Sequence, residues 1–177
     1  MDLRQSWDYI EEIAQRRLEH NKSKWHVKEY GTDIEVLGAA GELAAHRLLG
    51  LPEKLHDQHD GGVDIWWRGY RIDVKTTHLT WRFKYRYLQW PIKKPLKADI
   101  VLLMGVNMNL RFAACAGFAL ETDVKASAIN YERNFPCHEI PITELRPEWE
   151  LFTVRPRSQR HQNKTTGKSL SNVMGIA

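Results

Sequence analysis

The chain has 177 residues, 42% of them hydrophobic, with 26 Lys and Arg set against 22 Asp and Glu. That length supplies one core and hardly two, and no apolar run approaches the roughly 18–20 residues of a membrane-spanning helix. Two cysteines, Cys115 and Cys137, exclude a disulfide scaffold, and an N-terminus without a signal-peptide core makes a cytoplasmic setting the expectation.

Residues 7–20 space Trp7, Ile10, Ile13, Ala14 and Leu18 at helical intervals, predicting a first helix. Asn21 to Gly31 is polar and reads as a loop. A second helix starts at Thr32, where Glu35 three residues on completes a capping-box pattern, and stops before Gly50 and Pro52. Leu37, Ala40, Ala44 and Leu48 form its apolar stripe, while the small residues Gly38, Gly41 and Ala45 surround Glu42. Small neighbours let another backbone come close, as on a helix laid against a sheet.

The segment VDIWWRGYRIDVKTT reads as a hairpin turning at Arg68-Gly69. The register then pairs Trp67 with Tyr70, Trp66 with Arg71, Ile65 with Ile72 and Asp64 with Asp73. Alternation sorts Val63, Ile65, Trp67, Tyr70, Ile72 and Val74 onto an apolar face, and Asp64, Trp66, Arg71, Asp73, Lys75 and Thr77 onto the other. Residues 81–87 alternate as a strand, with aromatics on one side and Arg82, Lys84 and Arg86 on the other. ADIVLLMGV (98–106) predicts a central strand, joined by a turn at 107–109 to a neighbouring strand over 110–120. Residues 122–129 predict a short helix, and 141–151 a brief helical or irregular piece. A central mixed sheet flanked by helices, an α/β fold with an added N-terminal helix, is the architecture expected for residues 1–154.

Charge is distributed unevenly. The tail from Arg155 holds five basic residues and no acid, and Arg68 to Lys97 carries nine basic residues against Asp73 alone. A basic stripe and tail on a nearly neutral body are the footprint of a polyanion partner. The plainer reading is a solvated, lysine-rich face.

Asp64 opposite Asp73 is the informative feature. Two like charges about 5 Å apart at an effective dielectric of ~20 repel by ~3 kcal/mol, which a cation between them or a retained proton relieves. Lys75 lies about 7 Å further along the strand, two rises of ~3.4 Å, and flanks the pair. If Glu42 faces the same point, three acids and one lysine leave a charge of −2, which a hard divalent ion, Mg²⁺ or Mn²⁺, balances through oxygen ligands. For Asp73 and Lys75 the plainer alternative is a local ion pair on an exposed strand; for Glu42 it is a surface pair with His46 or Arg47. His56 and His59 sit among aspartates without a completing ligand and read as loop; neither cysteine has a base at catalytic spacing.

The helix bearing Gly41-Glu42, then Gly62-Val63-Asp64-Ile65, then Asp73-Val74-Lys75-Thr76-Thr77 resembles the PD-(D/E)XK nuclease superfamily, which includes Holliday junction resolvases and many phage nucleases. The resemblance covers roughly residues 32–77 and departs from the pattern in having Val63 for Pro and Asp, not Glu, before Lys75. It implies a restriction-endonuclease-like core, catalytic Mg²⁺ on Asp64 and Asp73 assisted by Glu42 and the Val74 carbonyl, and Lys75 serving the hydrolytic water. DNA is the partner it implies, with endonucleolytic cleavage expected and a homodimer left open. Arg71, Thr77, Arg82, Lys84, Arg86, Lys93 and Lys94 are the candidates for DNA contact. The alternatives are a non-catalytic nucleic-acid-binding module on the same fold and a phosphatase of small esters.

Overall fold

The computed structural model describes residues 1–21, 32–56, 62–80, 86–132 and 135–156. After a 3₁₀ turn at Arg4–Ser6 come helices α1 (Trp7–Asn21) and α2 (Thr32–Leu48), then strands β1 (Ile65–Trp67), β2 (Tyr70–His78), β3 (Tyr87–Pro91), β4 (Ile100–Asn107) and β5 (Phe112–Leu120). A short helix α3 (Glu121–Ala126), strands β6 (Ala128–Asn130) and β7 (Cys137–Pro141), and 3₁₀ turns at Ile142–Glu144 and Glu148–Thr153 follow. The fold is α/β.

The hairpin register is the one the alternation predicts: Ile65 pairs with Ile72, Trp66 with Arg71 and Trp67 with Tyr70. Its turn has positive φ at both central residues, 50° at Arg68 and 80° at Gly69, as a type I′ turn requires. Gly69 adopts that conformation freely. Arg68 does so with its guanidinium 4.6 Å from the Trp67 ring centroid and donating to the Phe152 carbonyl.

Two sheets form. One has the order β1-β2-β4-β5, with β2 and β4 parallel and the outer pairs antiparallel; the other is antiparallel in the order β3-β7-β6. In the first sheet the side chains alternate between two cores. Ile65, Trp67, Ile72, Val74, Ile100, Leu102, Met104 and Val106 pack with α1 and α2, while Val101, Leu103 and Ala119 pack with Leu88, Trp90, Val124 and Ile140. Burial on both faces is why β4 reads as an unbroken apolar run. Helices therefore cover one face, and the small sheet with α3 covers the other.

This second layer is where expectation and structure part. The helix predicted over 122–129 ends at Ala126 and gives way to β6, since Ser127 returns to extended backbone (φ −73°, ψ 159°). The strand predicted over 81–87 lies largely outside the described residues, and β3 begins at Tyr87, where it ends.

The approach of α2 to the sheet depends on Gly41. A Cβ there would overlap the Thr76 side chain, with Cγ2 at 2.7 Å and Cβ at 2.9 Å, whereas one at Gly38 meets nothing within 4 Å among the described residues. Ala exceeds Gly in helix propensity by about 1 kcal/mol, but overpacking costs about 1–3 kcal/mol. Gly41→Ala is therefore expected to destabilise by up to about 2 kcal/mol, and Gly38→Ala to stabilise by up to about 1 kcal/mol. Urea unfolding of the two variants checks this; shifts of the same sign would contradict the packing argument.

Candidate active site

Strand β1 begins only at Ile65, so the ladder ends one residue short of the expected Asp64–Asp73 pair. The Asp64 amide donates instead to the Ile72 carbonyl at 2.9 Å, and Asp64 Oδ2 accepts the Val74 amide at 2.6 Å. A buried amide needs a partner, and ahead of β1 a carboxylate supplies it. Asp73, only 2% exposed, lies on the β2 face that looks toward the small sheet and forms an ion pair with Lys75. Lys75 Nζ also lies 4.7 Å from the centroid of the Trp90 ring.

Glu42 reaches the cluster from the helix side. Both its oxygens are held by Arg17 of α1, Nη1 to Oε1 at 2.7 Å and Nη2 to Oε2 at 2.6 Å, and Arg17 Nε donates to the His56 carbonyl. His46 and Arg47, the partners the surface reading offered, turn to the Pro52 carbonyl and to Glu53. With Arg17 included, three acids face two cations, and the local charge is −1, not the −2 expected.

The acids sense one another. Burial, then the charges of Glu42 and Asp73, push the Asp64 carboxyl from 3.8 up to about 7, against the pull of the Val74 amide and Lys75. Burial works against the Arg17 charge, but the bond to Glu42 and the fields of Glu35 and Asp64 outweigh it and raise its pKa. Asp64 forms no ion pair with any described residue.

Among the described residues no three His, Cys, Asp or Glu side chains gather as a metal-binding group. The available donors are Asp64 and Asp73, each with one oxygen already engaged and a second without a hydrogen-bond partner among the described residues. Two carboxylates beside an uncompensated charge fit Mg²⁺, which keeps its remaining positions for water and phosphate. Glu42 fits as a ligand only if Arg17 releases it.

Of the residues expected to contact DNA, Arg71 is held in an ion pair and Thr77 is buried. Arg71 is committed to Asp99, donating through Nε, Nη2 and its backbone amide at 2.9–3.1 Å. Thr77 is 3% exposed, and its buried hydroxyl has no hydrogen-bond partner among the described residues. The face shared by Asp73 and Lys75 looks toward the small sheet, where Lys75 meets Trp90. Arg86, Lys93 and Lys94 are exposed at the start and end of β3; Arg82 and Lys84 lie outside the described residues.

Arg17 and Trp90 are site residues the sequence reading missed. Arg17 had a signal: it continues the buried stripe of Ile10 and Ala14 at i+7 and i+3, where a charge demands a partner. Trp90 had only its alternation with Leu88 in β3. Comparison of the chain with protein-family models, curated proteins and solved structures finds no match.

The Arg17–Glu42 pair is deeply shielded, at 4% and 14% side-chain exposure. Arg17→Leu leaves Glu42 unpaired and is expected to cost about 3–5 kcal/mol, most of it recovered in Arg17→Leu/Glu42→Leu; denaturant titration of the three proteins checks this. For Asp64, the folded state holds a proton between about pH 4 and 7 that the unfolded chain has lost. Metal-free stability should therefore fall as pH rises through that window and level off above it. The Asp64→Asn variant should lose that slope, and a wild-type slope of opposite sign would refute the assignment.

Proposed function

We propose that this chain is a divalent-metal-dependent nuclease that hydrolyses DNA phosphodiester bonds. The carrying observation is that Asp64, bound to the Val74 amide just before β1, lies within the field of Asp73, which is itself paired with the partly exposed Lys75. A divalent ion bound by such carboxylates would polarise the phosphodiester and favour ionisation of the attacking water. Mg²⁺ is the ion proposed, with Mn²⁺ as its substitute.

The chain's own residues divide the remaining work. Asp64 and Asp73 supply the oxygens, with the Val74 carbonyl as a further donor. The Val74 amide orients Asp64 through the 2.6 Å bond to Oδ2. Lys75, at 31% side-chain exposure, supplies a positive charge that can orient the water or meet the charge developing on the phosphoryl oxygens. Glu42, locked to Arg17, fixes the electrostatic setting of Asp64 from behind. DNA is favoured over a small ester by the basic residues about the site, since a run of phosphates rewards a run of cations.

A second reading, a binding module without catalysis, draws on the internal pairing of Glu42 with Arg17 and of Asp73 with Lys75. Plasmid, linear duplex, single-stranded and branched DNA incubated with Mg²⁺ or EDTA separates the two. Cleavage is expected with Mg²⁺ and none with EDTA, and Asp73→Ala and Lys75→Ala should each lose ~10²-fold or more in rate. Cleavage that survives both chelation and Asp73→Ala refutes the nuclease; binding without cleavage of any substrate supports the module.

A further inference from the structure

We propose that Lys94 is a second substrate-contacting ammonium of this site, and that Trp90 is the positioning residue that holds it and Lys75 at a spacing suited to neighbouring phosphates. The inference rests on the nuclease reading and deepens it. Trp90, 3% exposed, is anchored in the core beneath the small sheet. Its ring receives two ammoniums, Lys75 Nζ at 4.7 Å from the centroid and Lys94 Nζ at 5.0 Å, an attraction between a cation and the negative face of the ring. The two nitrogens thus lie within about 10 Å of each other, a span that covers neighbouring phosphates at ~3.4 Å of axis per charge on one strand.

The mounting is specific. The Trp90 indole N–H donates to the Lys94 carbonyl at 2.8 Å, and the Lys94 amide donates to the Pro91 carbonyl at 3.0 Å, so the same ring fixes the turn that carries the lysine. The two ammoniums differ in one respect. Lys75 is paired with Asp73, whereas among the described residues Lys94 makes no ion pair. Burial and the nearby Lys75 charge depress the Lys94 pKa, while Asp73 and Asp64 act in the other direction, which puts Lys94 in the same electrostatic neighbourhood as the acids. An ammonium held beside a like charge without its own counter-ion is set to receive an anion, and Lys93 and Lys97 on either side add to that field.

The test measures binding and cleavage separately. Binding of a short fluorescein-labelled duplex is followed in EDTA over a range of salt concentrations. Lys94→Ala should weaken binding about tenfold and make the slope of log K against log salt shallower by about one, the loss of one phosphate contact. Lys94→Arg should keep the wild-type slope. In Mg²⁺, Lys94→Ala should raise KM about tenfold with kcat changed far less, because the contact is made before the transition state. Trp90→Leu should show the slope and KM change of Lys94→Ala and in addition a lower kcat, because it also releases Lys75, and the double variant should lose no more than Trp90→Leu alone. A thermal melt confirms that each variant folds; Lys94, being exposed, reports even if Trp90→Leu does not fold. An unchanged slope and KM in Lys94→Ala overturn this proposal while wild-type cleavage stands. Absence of cleavage by the wild type overturns the nuclease reading, and the slope in EDTA still decides whether Lys94 meets a phosphate.

Discussion

The late start of strand β1 governs the site. Because pairing ends at Ile65, the Val74 amide has no strand partner, and the Asp64 carboxylate turns in to accept it. That one bond draws a carboxylate out of solvent and toward Asp73. Had the ladder run one residue further, both acids would stand opposed on a regular strand pair, a position that like charges disfavour. Instead the backbone itself offsets part of the repulsion, and an amide dipole holds Asp64 in place.

The two faces of the sheet then contribute unequal supports. From the helix face, α2 comes close enough for Glu42 to reach the cluster because Gly41 presents no Cβ to Thr76. α1 answers with Arg17, so a residue from the first helix settles the charge of a residue on the second. From the opposite face, β3 brings Trp90 under Lys75 and fixes the turn at Lys94. These supports come from segments far apart in sequence, and each reaches the cluster through a single side chain: Arg17 on Glu42 and Trp90 on Lys75. The arrangement is preorganised where the chain can pair its charges internally and open where it cannot.

Legibility followed the range of the interaction. The hairpin register was readable because alternation, turn chemistry and strand length are local, and both strands sorted under one turn at Arg68-Gly69. The approach of α2 was readable from Gly41 and its small neighbours. What could not be read was commitment to distant partners. Arg71 and Thr77 share the alternation of Asp73 and Lys75, yet Arg71 is claimed by Asp99, 28 residues away, and Thr77 is buried. Strands β6 and β7 are short, and β7 pairs with the distant β3 while β6 pairs with β7, so neither period nor length announces them. The charge at the site was misjudged for the same reason, since the stripe of α1 was read for its apolar members and Arg17 was passed over.

The revised charge sharpens the role of one residue. Glu42 and Asp73 each have a cation of their own, Arg17 and Lys75. Asp64 has an amide and no ion pair among the described residues, and it is the carboxyl whose pKa is lifted to about 7. The residual −1 of the cluster therefore resides on the group least able to carry it in a shielded position. Such a group exchanges its proton for any cation that comes within reach, since ligation needs the ionised form and releases a proton in forming it. In this site Arg17 and Lys75 neutralise the outer acids and keep them in place, which leaves the middle acid as the one that responds. A divalent ion drawn to Asp64 would meet Asp73 beside it, so the same late start of β1 that strands the Val74 amide also decides where positive charge is needed.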